Sequence, residues 1–217
     1  MNLKRNIELL LGAKAVFFDF DGVIKDSIDI KSDAFGELFK QFGPEFVHKV
    51  KNHHEENGGV SRFDKIPIYM QWAGINITDM NLKKYLEYFS LLTIEKVVKS
   101  NWVPGIIKYL KQNNNKQSFF ILTATPQEDI NLIITELEIK EFFVAIVGSP
   151  TNKYDAMRKL LDNNSILAGD AVMIGDSYED YKAAQLNSVS FLLKMNAQNK
   201  ALQKKLNCPM IRNFNDG

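Results

Sequence analysis

Two patterns of apolar and polar positions alternate along this chain, one typical of buried strands and one typical of amphipathic helices. An apolar run at 15–18 predicts a first strand, and similar runs predict strands at 118–123, 143–148, 171–175 and 188–193. Helical spacing between them predicts helices near 105–113, 126–138, 152–163 and 178–187. Strands that alternate with helices favour right-handed crossovers and a parallel sheet. We therefore expect an α/β domain, a Rossmann-like parallel sheet with helices on both faces.

The segment between the first two strands differs, because its apolar positions recur only with a helical period. It predicts helices at about 28–42, at 44–56, from about residue 61 onward, and at 78 to about 99. Pro67 is expected to kink the third of these helices or to delay its start. Residues 27–99 are thus predicted to be an all-helical insertion, and residues 1–26 with 100–217 to form the α/β domain.

Polar side chains follow the predicted strands at the points where the strands end. In an open parallel sheet, ligands bind at the carboxyl ends of the strands, so these residues are candidates for one common site. In chain order they are Asp19 and Asp21 after the first strand, Thr123 and Ala124 at the end of the second, Lys153 after the third, and Asp176 and Asp180 after the fourth.

Asp19 and Asp21 carry the strongest chemical signal in the sequence. They are separated by one residue at the end of a strand, so their side chains are expected on the same side. Two neighbouring carboxylates at the end of a buried strand repel each other and lose hydration, and a divalent cation would remove that cost. Oxygen ligands of this kind suit Mg²⁺. The simpler interpretation is a turn whose aspartates cap the next helix.

Composition narrows the possible functions. Of 217 residues, 45% are hydrophobic and the net charge is +1, so the chain can bury a core and has no electrostatic case for binding nucleic acid or an anionic membrane. Cys208 is the single cysteine, which excludes an intrachain disulfide. Lys14 interrupts the apolar stretch at 7–18, and no apolar run approaches membrane-spanning length. We expect a cytoplasmic protein, monomeric or a weak homodimer.

The motifs, taken together, resemble those of the haloacid dehalogenase superfamily. The resemblance is greatest to its helical-cap phosphatases and phosphomutases, such as the phosphoglycolate phosphatase and β-phosphoglucomutase families. It covers nearly the whole chain, and the helical insertion corresponds to the cap of those proteins. The matching elements are, in chain order, Asp19-Phe20-Asp21-Gly22, Leu122-Thr123, Lys153, and Gly175-Asp176 with Asp180.

The resemblance implies a Mg²⁺-dependent phosphomonoester hydrolase. Asp19 would be the nucleophile that forms an aspartyl-phosphate. Asp21 would protonate the leaving group and then deprotonate the attacking water. The metal would be bound by the Asp19 and Asp176 carboxylates and the Asp21 backbone carbonyl, and Asp180 would bind it directly or order its waters.

The resemblance also implies a phosphate-binding set. Thr123 and the Ala124 amide would bind the phosphoryl oxygens, and Lys153 would neutralise the remaining charge. The sequence Asn152-Lys153-Tyr154 departs from the Lys-Pro form common in the family, so Lys159 stands as a weaker substitute for Lys153.

Two alternative functions remain open. A sugar phosphomutase of the β-phosphoglucomutase type would also retain Asp21, and the segment Gly59-Val60-Ser61-Arg62 looks like a cap motif of those mutases. Gly175 occupies a position where those mutases have an acidic residue, and Asp180 fits the phosphatase form. The second alternative is a non-catalytic relative that uses the scaffold for binding, which would be expected to lose one of the carboxylates or the lysine.

The cap should select the substrate, because an insertion after the first strand is expected to close over the end of that strand. Its polar, glycine-bearing turn can approach the leaving group, with Arg62 as the main polar anchor. Alternatively, this segment is a solvated loop. We expect the partner to be a small phosphorylated metabolite of the sugar-phosphate class. The candidate contacts in the cap are His54, Asn57, Gly58, Arg62 and Lys65.

Overall fold

A six-stranded parallel sheet forms the centre of the protein. We analysed a computed structural model that describes residues 3–215, with side chains described from residue 6. The strand order is β3-β2-β1-β4-β5-β6. The strands are β1 (Ala15–Phe18), β2 (Ser118–Pro126), β3 (Ala145–Ser149), β4 (Ala171–Gly175), β5 (Ser190–Lys194) and β6 (Met210–Ile211).

Ten α-helices connect and cover these strands in the described part of the chain. They are α1 (Leu3–Gly12), α2 (Ile28–Leu38), α3 (Pro44–Glu56), α4 (Arg62–Trp72), α5 (Asp79–Lys99), α6 (Ile106–Asn113), α7 (Gln127–Glu136), α8 (Lys153–Asn163), α9 (Tyr178–Leu186) and α10 (Lys200–Lys205). The alternation of strands and helices confirms the predicted α/β class, and the helical insertion lies between β1 and β2 as predicted.

Some element bounds differ from the predicted ones. The first cap helix ends at Leu38 and is followed by a short 3₁₀ turn at Lys40–Phe42, so the prediction of one helix to residue 42 was wrong. Pro67 does not delay α4, because the Ser61 hydroxyl accepts a hydrogen bond from Phe63 N and caps the first turn. Helices α1 and α10 and strand β6 were not predicted.

The sheet is covered on both faces, as the alternation along β1 shows. Val16 and Phe18 point into an apolar cluster with residues of α1, α6 and α7, whereas Ala15 and Phe17 point into a second cluster with residues of α8 and α9. All four side chains are fully buried. Successive residues of a strand face opposite sides of the sheet, so an unbroken apolar run is what a strand buried on both faces requires.

The cap has an apolar cluster of its own. It is built from α2, α3, α4 and α5, and it includes Phe35, Phe39, Tyr69 and Phe89. The end of α5 belongs to the α/β part, since Val97 packs in the core cluster. The division into residues 27–99 and the remainder stays a prediction. None of the helices that the structure describes combines the length and apolar character that crossing a membrane would require.

β1 lies at the point where the strand order reverses. From β1 the chain proceeds outward through β2 and β3, and it then returns to the other side of β1 at β4. The connections after β1, β2 and β4 therefore diverge around the carboxyl end of β1. Such a point forms a crevice in open α/β sheets, and it is where ligands bind.

Candidate active site

Asp19 lies in this crevice, directly after β1. Its backbone N–H donates to Ile174 O at 2.9 Å, which continues the ladder between β1 and β4. The residue is only 5% exposed. Its Oδ1 atom accepts a hydrogen bond from Phe20 N at 2.7 Å and lies 3.0 Å from Lys153 Nζ. The Oδ2 atom carries no hydrogen bond from the described residues, so one oxygen is anchored and the other is available.

Lys153 is fixed between two carboxylates. Its Nζ atom lies 3.0 Å from Asp19 Oδ1 and 2.5 Å from Asp180 Oδ1. Burial alone would lower the pKa of Lys153, but Asp180 and Asp19 raise it above its usual value, so this residue carries a positive charge. Lys159 is exposed. The structure thus brings Lys153, and not the substitute Lys159, to the predicted nucleophile.

The register of Lys153 follows from the start of α8. Asn152 is the N-cap, and its side-chain oxygen accepts a hydrogen bond from Asp155 N at 2.8 Å. Lys153 is then the first helical residue, and Tyr154, where the Lys-Pro form has its proline, is the second. Proline is tolerated in the first turn of a helix, so both forms are compatible with a helix that starts at the lysine.

Three carboxylates converge beside this lysine. One oxygen from each of Asp19, Asp176 and Asp180 can be chosen so that the three lie within 4.8 Å of one another. Burial and the Asp180 carboxylate raise the pKa of Asp19 to about 7, against the opposing effect of Lys153. Burial, followed by Asp19 and Asp180, raises the pKa of Asp176 well above its usual value. Such a cluster is stabilised by a cation.

The surroundings fit a small, hard cation such as Mg²⁺. The donors are carboxylate oxygens, and the chain keeps side chains away from them: a Cβ at Gly22 would lie 2.3 Å from Asp176 Oδ2. Asp180 is already engaged, because its Oδ2 accepts hydrogen bonds from the Ser177 N–H and hydroxyl at the start of α9. Asp19 and Asp176 thus have the freer carboxylates.

Asp21 is held by residues that the sequence analysis missed. Its Oδ1 accepts a hydrogen bond from the Ser27 hydroxyl at 2.6 Å, and its Oδ2 accepts one from the Thr125 hydroxyl at 2.9 Å. Lys31 Nζ lies 3.5 Å from the same Oδ2 and donates to Thr125 Oγ1 at 3.1 Å. The strand period could have revealed Thr125, which lies two residues after Thr123. No pattern in the sequence indicated that Lys31 belongs to the site.

Asp176 also has partners that were not predicted. Asn196 Nδ2 donates to Asp176 Oδ2, and Asn199 Nδ2 donates to the Asp176 carbonyl, each at 2.8 Å. Both asparagines follow β5, the strand next to β4. Both could have been predicted as site residues from their position just after the end of a strand.

A cavity of about 640 Å³ connects this crevice to the cap. The core side of its wall includes Asp19, Asp21, Thr123 and Ala124, as predicted for the phosphate end of a ligand. Thr123 is buried, and its Oγ1 accepts a hydrogen bond from Thr125 N at 3.1 Å. The structure therefore brings the predicted phosphate-binding residues beside the predicted nucleophile.

The cap side of the wall contains four of the five predicted cap residues, namely His54, Gly58, Arg62 and Lys65. Asn57 lies outside the wall, because its side-chain amide donates to His53 O at 2.8 Å at the end of α3. Arg62 and Lys65 are both buried, so the alternative of a solvated loop was wrong for these two residues.

Arg62 joins the cap to the α/β domain. Its Nη1 atom lies 2.6 Å from Asp129 Oδ2 on α7, and its Nη2 donates to Ser90 Oγ on α5 at 2.8 Å. Both charged side chains are at least nine-tenths buried. The Nε atom is buried and has no hydrogen-bond partner among the described residues. The predicted role of Arg62 as a substrate anchor stays a prediction, and two of its three guanidinium nitrogens already donate hydrogen bonds within the protein.

The comparison with known protein families decides the assignment. The family model described as haloacid dehalogenase-like hydrolase matches residues 16–194, which is most of the chain. The chain belongs to this family. The resemblance inferred from the motifs is thereby confirmed, and so is the prediction of a hydrolase.

Characterised relatives of this haloacid dehalogenase-like protein are phosphatases by name. It is 23% identical over 180 residues to the phosphorylated carbohydrates phosphatase of Thermotoga maritima, covering 79% of this chain and 80% of that protein. It is 24% identical over 188 residues to phosphoglycolate phosphatase 1 of Pseudomonas aeruginosa, covering 81% of this chain and 67% of that protein. Among solved structures, β-phosphoglucomutase from Clostridium difficile superposes with a TM-score of 0.73 at 19% identity, and the match covers 94% of this chain and 92% of that one. The structural likeness shows a shared fold.

Gly175 stands where the sequence analysis expects an acidic residue in the phosphomutases, and the structure shows how little space there is at this position. A Cβ at Gly175 would lie 2.3 Å from Asp180 Cβ and 2.6 Å from Asp180 Oδ2. Because Asp180 is fully buried and bonded to Lys153 and Ser177, it has no room to move aside. A larger residue at Gly175 is therefore incompatible with the present placement of Asp180.

Proposed function

We propose that the protein is a Mg²⁺-dependent phosphomonoester hydrolase that acts through an aspartyl-phosphate on Asp19, with a small phosphorylated metabolite, such as a sugar phosphate, as its substrate. The observation that carries this proposal is the buried Asp19 carboxylate, held on one oxygen by Lys153 and flanked by Asp21 two residues later. The names of the two phosphatase relatives support the same reaction class.

In the first half of the reaction, an Asp19 carboxylate oxygen attacks the phosphorus atom of the bound ester. The bond from phosphorus to the ester oxygen breaks, and Asp21 gives its proton to the departing alkoxide. Thr123, the Ala124 amide and Lys153 stabilise the charge on the phosphoryl oxygens. Lys153 retains its charge throughout, because it lies between Asp19 and Asp180.

In the second half, Asp21 takes a proton from water, and the water oxygen attacks the phosphorus of the aspartyl-phosphate. Phosphate leaves and the Asp19 carboxylate is regenerated. Ser27 and Thr125 fix both oxygens of Asp21, so its position is determined before substrate arrives. A Mg²⁺ ion held by Asp19, Asp176 and the Asp21 carbonyl, with Asp180 nearby, would supply positive charge to the phosphoryl group.

A hydrolysis screen tests this proposal. Purified protein with Mg²⁺ should release inorganic phosphate from at least one member of a panel of sugar phosphates and short phosphate esters, and EDTA should abolish that release. Asp19→Asn should remove at least 95% of the activity and keep the circular dichroism spectrum, since the nucleophile is lost and its shape is kept. Full activity in chelator, or in Asp19→Asn, would refute the mechanism.

The same screen discriminates the phosphomutase alternative. A mutase would convert a hexose 1-phosphate to the 6-phosphate with stimulation by a hexose bisphosphate and little free phosphate. A non-catalytic relative would give neither product while still binding a phosphate ester. We expect free phosphate without any bisphosphate activator.

A further inference from the structure

The cap wall of the cavity contains a buried amine that is not paired with an acid. Lys65 is 1% exposed. Its Nζ atom lies 3.0 Å from His54 Nδ1 and 3.4 Å from the His54 carbonyl oxygen, and 5.9 Å from the centre of the Phe35 ring. Within the described residues, no carboxylate oxygen lies within 4.0 Å of this amine. A buried ammonium without a counter-ion is costly.

The other two cap cations on this wall do have acidic partners. Arg62 pairs with Asp129, and Lys31 lies 3.5 Å from Asp21. Their charges are therefore satisfied within the protein before any ligand enters. Lys65 is the cation in the described cap wall whose charge a ligand would have to satisfy.

The surroundings of Lys65 and His54 disfavour positive charge on both side chains. Burial lowers the pKa of Lys65 to about 7, with a small opposing effect from Asp64 on its own helix. Burial, followed by Lys65, Lys31 and His53, lowers the pKa of His54 well below its usual value. An anion placed against Lys65 would reverse this balance, because it favours the protonated amine.

Lys65 and Asp19 line the same cavity, the former from the cap and the latter from the end of β1. A phosphate ester whose phosphoryl group lies at Asp19 can therefore place its remaining part against the cap wall. We propose that Lys65, positioned by His54, binds a second anionic group of the substrate, a carboxylate or a second phosphate. This inference rests on the proposed function and narrows its substrate class from hydroxylated esters to esters with an anion at the far end.

Paired substrates test the inference. Phosphoglycolate and 2-hydroxyethyl phosphate differ by a terminal carboxylate in place of a hydroxymethyl group, and fructose 1,6-bisphosphate and fructose 6-phosphate differ by a second phosphate. The wild-type protein should prefer the more anionic member of at least one pair, as measured by kcat/KM. The pair that shows the preference distinguishes the carboxylate from the phosphate. Equal kcat/KM within both pairs would overturn the inference while leaving the proposed function intact.

Lys65→Met tests whether this residue causes the preference. Methionine keeps the length and apolar stem of lysine, so the cap should fold. The loss in kcat/KM on the preferred anionic ester should exceed the loss on its neutral counterpart by roughly 10- to 100-fold, the range for a hydrogen bond to a charged group. Lys159→Met, at an exposed site on α8, is the matched control. Equal losses on both esters would overturn the role of Lys65.

Calorimetry gives a measurement that does not depend on turnover. Phosphonoacetate and 2-hydroxyethylphosphonate have the same paired difference, and neither contains a phosphate ester bond. At pH 8, the wild type should take up more protons than Lys65→Met on binding phosphonoacetate, because the carboxylate recharges Lys65. The two proteins should take up equal numbers of protons on binding 2-hydroxyethylphosphonate. Equal proton uptake by the two proteins on binding phosphonoacetate would assign the second anion to another group.

Discussion

Two buried lysines, Lys153 beside Asp19 in the α/β domain and Lys65 in the cap wall of the cavity, have opposite electrostatic surroundings. Lys153 lies between Asp19 and Asp180, which raise its pKa despite burial. Lys65 lies beside a histidine, and burial lowers its pKa to about 7. One side chain has two acids as neighbours, and the other has none within ion-pair distance among the described residues.

In the function and the substrate contact that we propose, this difference separates the chemical part of the site from the part that recognises the substrate. The charge of Lys153 is fixed by the protein, so the nucleophile has its cation whether or not a ligand is present. The charge of Lys65 depends on what enters the cavity. A permanent cation beside the reacting group serves every substrate, whereas a conditional one on the cap discriminates among them.

The largest expected effect comes from removing the permanent cation. Lys153→Ala should lower kcat by about 100-fold or more, because a preorganised charge at the phosphoryl group is lost and two carboxylates are left unneutralised. Steady-state phosphate release measures the change. Lys159→Ala, six residues later and exposed, should stay within about twofold of the wild type. A loss below tenfold in Lys153→Ala would remove this lysine from the catalytic set.

The conditional cation, Lys65, is expected to affect the stability of the protein rather than kcat. Lys65 has a folded-state pKa of about 7 against 10.5 when unfolded, so the unfolded chain binds the extra proton between these values. The resulting penalty is present below pH 7 and is relieved as the pH rises to about 10.5. Lys65→Met should therefore raise the free energy of unfolding by about 4 kcal/mol at pH 7, and most of this gain should be lost near pH 10.

Urea unfolding at pH 7 and pH 10 measures this gain. Lys159→Met should show no such dependence on pH, because its side chain is exposed in the folded protein. If the gain from Lys65→Met were equal at the two pH values, it would reflect packing alone, and the contrast between the two lysines would be lost.

The α/β half of the site could be predicted from the sequence, because its signals are local. Asp19 and Asp21 follow directly from an apolar run, Asp176 follows another, and the parallel sheet brings the strand ends together. The bounds of β4 were predicted without error for the same reason. Local patterns of this kind are short in sequence and tied to the geometry of a strand.

The contacts of the cap half could not be predicted, although most of its candidate residues lie in the cavity wall, because these contacts join residues distant in sequence. Arg62 pairs with Asp129, which is 67 positions later in the sequence and lies on α7 of the α/β domain. No local sequence pattern indicates that partner. Lys31 reaches Thr125 across 94 positions in the same way. The small strand β6 has only two residues, which are too few to show the alternation of apolar and polar positions that predicts a strand.

The ion pair between cap and core should matter less than the catalytic lysine. Arg62→Ala and Asp129→Ala each break a buried pair and should raise KM about tenfold, for p-nitrophenyl phosphate as much as for a sugar phosphate. The reason is that both variants loosen the contact between cap and core. Lys83→Ala, which removes an exposed pair with Glu87, is the control and should leave the KM for both substrates unchanged.

The same two variants decide the predicted role of Arg62 as a substrate anchor. If Arg62→Ala weakened use of a sugar phosphate alone, by roughly 1.5–3 kcal/mol, and Asp129→Ala did not, Arg62 would bind substrate directly, for example through its unpaired Nε atom. Equal losses in both variants on both substrates would assign it to cap closure.

The smallest expected effect concerns how each domain starts its helices. Asn152 caps α8 just before Lys153, and Thr78 caps α5 in the cap through a hydrogen bond from Asn81 N to its hydroxyl. Asn152→Ala and Thr78→Ala should each lower the free energy of unfolding by about 1 kcal/mol. Neither should change kcat more than about threefold, because Asp19 and Asp180 hold the Lys153 amine independently of the helix start. A loss in Asn152→Ala comparable to that in Lys153→Ala, with Thr78→Ala unaffected, would show instead that the start of α8 positions the catalytic cation.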